Sequence, residues 1–255
     1  MKNSLPIITF ITFAAWTGLV TQLVEAQEID HAQRYQDCMA EVKNSPQQAF
    51  EIALAWRDLG GGDAADHCVA AALIGLGQHR EAAGRLEQLA EKTQQKVEIK
   101  AGLLAHAAQA WMLAGNNQRA EAVLTAALGL APGNPNLLID RAQALAGQKN
   151  FDAAIEDLTS AIDRGGRQAD AFVFRAAAYR LLDKLELALA DIERALEMQP
   201  DHLDGLLERG ILRRLRENES GARNDWLSVI RLAPESPAAV AARRNLEGMD
   251  VRPDK

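Results

Sequence analysis

The chain has 255 residues, of which 48% are hydrophobic, only 5% are aromatic and 47 are alanine. Alanine is the best helix former and is depleted in strands, so this balance excludes an aromatic-rich β-sandwich and points to closely packed helices. A formal net charge of −7 and a pI near 5.3 exclude a uniform basic footprint of the kind that binds DNA or RNA.

In chain order, Lys2 and the amino terminus supply a positive start, and Leu5 to Val20 then runs apolar. Val24-Glu25-Ala26 places small residues at cleavage spacing, so residues 1–26 are expected to be an export signal and Gln27 the first mature residue. Left uncleaved, Leu5 to Val24 is just long enough to span a bilayer, which makes this segment the only expected membrane contact. The protein is expected to be exported, and periplasmic if its source is a diderm bacterium. Cys38 and Cys68 are the only cysteines. In an oxidising compartment an even pair forms a disulfide. They fall in helical patterns from His31 to Val42 and from Asp63 to Leu76, with a third helix from Gln47 to Trp56 between them, closed by Gly60-Gly61-Gly62. Closing a loop of that size stabilises by roughly 3–4 kcal/mol in the chain-entropy model.

From residue 101 a period of 34 residues takes over. Pro132, Gly166, Pro200 and Pro234 fall on it, as do Ala120, Ala154, Ala188 and Ala222. Leu124, Leu158, Ile192 and Trp226 form another row, and so do Leu128, Ile162, Leu196 and Ile230. Small residues recur at Ala108, Ala142, Ala176 and Gly210, and large apolar ones at Leu104, Leu138, Phe172 and Leu206. The units are 101–134, 135–168, 169–202 and 203–236. Each reads as two amphipathic helices joined by a short turn; in the third they run from Ala171 to Leu182 and from Glu186 to Met198. Ala176 and Ala188 face each other, so the two backbones approach closely while Leu, Ile or Phe fill the flanks. Pro or Gly stops the second helix and starts the next unit.

In these residues the chain resembles the tetratricopeptide repeat family. The third unit matches its pattern through Phe172, Ala176, Tyr179, Ala188, Ile192, Ala195 and Pro200, and the first through Leu104, Ala108, Trp111, Ala120, Leu124, Ala127 and Pro132. The fourth departs, with Arg213 in place of Tyr. A weaker unit at 63–96 is carried by Gly77, Ala82, Leu86 and Leu89; residues 97–100 break the period as a four-residue insertion; and 29–62 read as one more degenerate hairpin, so that 27–100 form a degenerate front. Residues 237–248 read as a capping helix with Ala239, Val240 and Leu246 on its apolar face. The resemblance implies an all-α fold, a right-handed solenoid of stacked antiparallel helix pairs. The leader, Cys-bearing front and regular repeats together resemble exported bacterial repeat proteins.

Arg141, Arg175 and Arg209 are 34 residues apart, and each precedes an aspartate, Asp157, Asp191 or Asp225, by 16. In the first unit both positions turn apolar together, as Ala107 and Val123. This joint presence and absence predicts a bidentate Arg–carboxylate bond between the two helices of each hairpin. Stacked hairpins curve so that their first helices line a concave face. By helical phase that groove is expected to show Gln109, Met112, Ile139, Gln143, Val173, Ala177, Arg180, Leu207, Ile211 and Arg214, positive toward its C-terminal end and suited to a peptide or partner helix of some acidic character. The carboxylate clamp of one family subgroup is not carried over, because Ala105, Gln109 and Asp140 stand at its positions.

No HExxH, GxSxG or phosphate-loop motif is present, the five histidines (His31, His67, His79, His106 and His202) are scattered, and no Cys/His spacing fits zinc. No enzyme activity, cofactor, metal or nucleic-acid partner is expected. The expected role is a protein-binding scaffold or assembly adaptor, with a self-associating envelope component and a membrane-anchored biogenesis factor as the alternatives.

Overall fold

Helix boundaries follow capping chemistry. Asn116, Asn134 and Asn218 each accept a backbone N–H from the first turn of the helix that follows, and His202 does the same through its ring. Pro135 stands at the first helical position behind Asn134, where its missing N–H costs nothing. The turns within hairpins repeat as well. Gly77, Gly115, Lys149, Asp183 and Glu217 all have positive φ, between 58° and 75°. Three of these five carry a side chain in the left-handed region, and the backbone around it is satisfied; the Lys184 N–H, for example, bonds the Tyr179 carbonyl.

The computed structural model describes residues 30–250 apart from Arg167, so the expected leader lies outside the described residues. The described residues form helices and turns. They pair as hairpins: α1 (His31–Asn44) with α2 (Pro46–Trp56), α3 (Gly62–Gly75) with α4 (His79–Lys92), and α5 (Val97–Leu113) with α6 (Asn117–Leu130). There follow α7 (Pro135–Gly147) with α8 (Phe151–Asp163), α9 (Gln168–Leu181) with α10 (Leu185–Met198), α11 (Leu203–Leu215) with α12 (Glu219–Leu232), and a last helix, α13 (Pro237–Asp250). Each first helix from α5 to α11 touches the first helix of the next hairpin, so these helices share one wall of an all-α solenoid.

Packing follows the periodic rows. Ala120, Ala154, Ala188 and Ala222 are buried, as are Ala108, Ala142 and Ala176 opposite them. Leu124, Leu158, Ile192 and Trp226 fill the space beside these close approaches. In the fourth unit two rows change together. Trp226 takes the place of Leu or Ile, and its indole N–H donates to the Leu207 carbonyl at 3.2 Å. Gly210 takes the place of Ala, because a Cβ there would lie 2.3 Å from the Trp226 ring nitrogen.

The Arg–Asp pairs join the two helices of each hairpin, and two of the three arginines also reach the hairpin before. Arg141 donates through Nε and one Nη to both oxygens of Asp157 at 2.7 Å, and Arg175 does so to Asp191 at 2.8 Å. Arg209 reaches Asp225 at 3.0 and 2.7 Å. The remaining Nη of Arg175 donates to Thr159 in the preceding hairpin, and that of Arg141 to Thr125. One guanidinium therefore bridges three helices. Asp157 and Asp191 are buried, so removing Arg141 or Arg175 would strand a carboxylate at a cost of about 3 kcal/mol. Arg213, the departure in the fourth unit, adds a second cation to Asp225 at 2.7 Å.

The four residues 97–100 that break the period form the opening turn of α5, which reaches 17 residues against 13 or 14 in the later first helices. One expectation is corrected here. In α13 the apolar face is Ala238, Ala239 and Ala242 with Leu246 and Met249, whereas Val240 is half exposed, one helical step off that face.

Gly210→Ala is expected to destabilise by about 1–3 kcal/mol through overpacking against Trp226. Adding Trp226→Leu, the pairing that the first two units already use, is expected to restore most of the loss. Thermal unfolding of the single and double variants checks this; a double variant no more stable than Gly210→Ala would contradict it.

Candidate functional site

Between α1, α3, α4 and the start of α5 lies a cavity of about 410 Å³, within the range of small-ligand and side-chain pockets. Leu89, Leu103, Ile99, Ala64 and Gly102 form its apolar walls. Ile99 belongs to the extra turn of α5 and is 46% exposed, so the insertion that breaks the repeat also builds one side of the cavity. Gly102 opens it further, since a Cβ there would meet nothing within 4 Å. Thr93 and Asp63 close the far end; the Thr93 hydroxyl donates to the Asp63 carboxylate.

A polar chain crosses the cavity. The Tyr35 hydroxyl lies 2.8 Å from His67 Nδ1, and His67 Nε2 lies 3.0 Å from His106 Nδ1. The imidazoles stack with centroids 5.2 Å apart. Burial, and then the neighbouring His106, push the His67 pKa down to about 4. Burial lowers that of His106 too, partly offset by the carboxylate of Asp140. Burial pushes the Tyr35 phenol up. The chain is therefore neutral near pH 7, each link holding one proton between two heavy atoms.

The disulfide is part of this architecture. Cys38 on α1 is bonded to Cys68 on α3, with Cα atoms 6.4 Å apart. Tyr35 lies almost one turn before Cys38, and His67 immediately precedes Cys68. The covalent link thus holds Tyr35 against His67.

A second recess of about 370 Å³ adjoins the first across Gly102 and His106, between α5, the turn after α6, and α7. It is lined by Glu98, Gln109, Asn134, Asn136 and Asp140 among others, and Ala105 is on its wall. All three residues at the clamp positions thus meet in this recess, with a carboxylate in the set.

The expected groove residues divide. Gln109 is exposed and lines the second recess. Met112, Gln143, Ala177, Leu207 and Ile211 are half-buried, and Met112, Leu207 and Ile211 pack against core clusters. Ile139 and Val173 are corrected: they are buried in the core, at 0% and 4% exposure. The expected positive end divides too: Arg180 meets a carboxylate, whereas Arg214 is exposed and meets a neutral carbonyl. Arg180 is bonded to the buried Glu208, Arg214 donates to the Gly248 carbonyl at 3.2 Å, and Arg213 is held by Asp225. These guanidiniums serve packing contacts between helices. Tyr35, His67 and His106 did not emerge from the sequence as a group, since their separations of 32 and 39 residues straddle the period. The four-residue insertion was the signal that could have pointed to them.

The His67 shift sets a pH dependence. An unfolded chain takes this proton near pH 6.5, while the folded protein resists it until about pH 4. The contribution is full above 6.5, falls through that window and levels off below 4. Between pH 7 and pH 4 the stability of a His67→Gln variant is expected to gain about 2–3 kcal/mol relative to the native protein. Denaturant unfolding at the two pH values measures this; a difference independent of pH would contradict it.

Models described as tetratricopeptide repeat match residues 112–172 and, for a second model, 70–135 and 177–237, together well over half of the chain. Hsc70-interacting protein 1 of Drosophila melanogaster is 34% identical over 111 residues, covering 43% of this chain and 29% of that protein. The chain thus matches under a third of that relative's length. Among solved structures, the anaphase-promoting-complex hetero-tetramer Cut9–Hcn1 aligns with a TM-score of 0.63 at 14% identity, over 85% of this chain and 43% of that one. MamA from Desulfovibrio magneticus RS-1 aligns with a TM-score of 0.54 at 18% identity, over 72% and 97%. These two likenesses concern the fold. With the 34-residue rows, the paired helices and the matched segments in agreement, the chain belongs to the tetratricopeptide repeat family.

Proposed function

We propose that this protein is a binding scaffold for a protein or peptide, and that its working surface is the N-terminal half of the first-helix wall. The observation that carries this reading is the pair of adjoining recesses around Gly102 and His106. Both recesses open to solvent, where a partner's side chain can enter them. The C-terminal half of the same wall is tied up by Arg180–Glu208 and by Arg214 on the Gly248 carbonyl. A fly relative named for its interaction with Hsc70 supports partner binding as the general class of activity. The bonded cysteine pair supports the export reading, because disulfides persist in oxidising compartments.

Gly102 offers a selective test. Its backbone has no positive φ and a side chain there meets open space, so Gly102→Ala is expected to raise stability by about 0.5–1 kcal/mol. Gly102→Trp fills the cavity mouth. Crosslinking capture from the native envelope, quantified by mass spectrometry, is expected to lose its partners with Gly102→Trp and keep them with Gly102→Ala. Equal capture by both variants would overturn the assignment of the surface.

A further inference from the structure

The polar groups that cross the first cavity form a line with one unfinished end. Tyr35 on α1, His67 on α3 and His106 on α5 are bonded in series, hydroxyl to Nδ1 and then Nε2 to Nδ1. The imidazoles are neutral near pH 7. In a neutral series each link carries one proton, so the bonds all run in one direction. Either the Tyr35 hydroxyl donates and His106 Nε2 is left as a donor, or His106 Nδ1 donates and Nε2 is left as an acceptor. Whichever holds, His106 Nε2 has no bond among the described residues.

The rest of the lining selects against charge. Asp63 already accepts from the Thr93 hydroxyl, and no lysine or arginine is among the described lining residues. An anion would find no cation there, and a cation would give up its water for the aliphatic walls of Leu89, Leu103, Ile99 and Ala64. Shape adds a second restriction. The three rings form a column, with centroids 5.8 Å apart from Tyr35 to His67 and 5.2 Å apart from His67 to His106. Planar rings pack on one another at such spacings. His106 ends the column, is exposed and borders the cavity, so one more ring can continue it. At about 410 Å³ the cavity has room for a small aromatic group.

Resting on the reading of this cavity as a binding surface, we infer that it takes a phenol: a neutral aromatic ring that packs against the His106 imidazole and the Leu103 side, with its hydroxyl completing the line at His106 Nε2. A hydroxyl both donates and accepts, so it fits either direction of the line, whereas a carbonyl or an indole N–H fits only one. The phenol is either the side chain of a partner's tyrosine or a free small molecule, and the site's chemistry is the same for both.

The test is a protein-observed NMR titration of the oxidised protein with p-cresol, the phenol of a tyrosine side chain, and with toluene, which lacks only the hydroxyl. Both are expected to saturate and to shift the Gly102 and Leu103 amides. p-Cresol is expected to bind at least as tightly as toluene, although its hydroxyl favours water. His106→Phe keeps a ring and removes Nε2, and in it the ratio of the two affinities is expected to move about fivefold toward toluene. Weaker binding of p-cresol than of toluene to the native protein would overturn the phenol assignment without any variant. An unchanged ratio in folded His106→Phe would overturn it as well. A second arm, selection of displayed heptapeptides on the native protein and on Gly102→Trp, identifies the source. Tyrosine enrichment that Gly102→Trp abolishes assigns the phenol to a partner's side chain. Saturable p-cresol with no enriched peptide assigns it to a free small molecule and overturns the peptide scaffold while the phenol site stands. A tyrosine-free consensus that Gly102→Trp abolishes, with no binding of p-cresol, overturns the phenol and leaves the scaffold surface standing.

Discussion

A two-helix hairpin of 34 residues has more apolar surface than it can hide by folding on itself, and in this protein that shortage organises everything else. The remedy is close approach within the hairpin followed by stacking. Ala176 against Ala188, and their counterparts in neighbouring units, bring two backbones together, and the leucines and isoleucines displaced to the flanks are buried only when the next hairpin arrives. The Arg–Asp bonds add directional constraint. Because Arg175 reaches Asp191 in its own hairpin and Thr159 in the one before, it penalises rotation between neighbours while contributing little net stability.

A stack of this kind has no reason to leave space between its layers, so a hollow marks a place where the rule is suspended. Here the suspension is four residues long. The extra turn at the start of α5 adds Ile99 and Glu98 on two sides of one helix, and the regular spacing from α3 to α5 is lost. The chain limits the damage with the Cys38–Cys68 bond and the Tyr35–His67–His106 chain, which keep α1, α3 and α5 in place around the opening. The regular packing thus lies in the periodic part, and the two recesses at its aperiodic front.

How much of this is legible in the sequence depends on whether the relevant residues share a register. The Arg–Asp pairs could be read because both partners recur at the same interval and vanish together at Ala107 and Val123. Gly210 and Trp226 depart together in the same unit, which in retrospect carries the same information about contact. The groove list was less successful for a physical reason. A first helix is packed by its own partner, by the hairpin before and by the hairpin after, so a step of one residue moves a side chain from groove to core, as with Ile139 and Val173. At the expected positive end, a count of arginines is blind to Glu208, which pairs with Arg180. Tyr35, His67 and His106 lie off the period, and only the tertiary structure brings them together.

The geometry assigns to residues 97–100 an apolar cavity that a regular stack would not have. Titration with the neutral dye Nile red measures this without any partner. The native oxidised protein is expected to give saturable single-site emission, and a variant lacking residues 97–100, with the period restored, is expected to give none while remaining folded by circular dichroism. Equal saturable emission from the folded deletion variant would contradict the account.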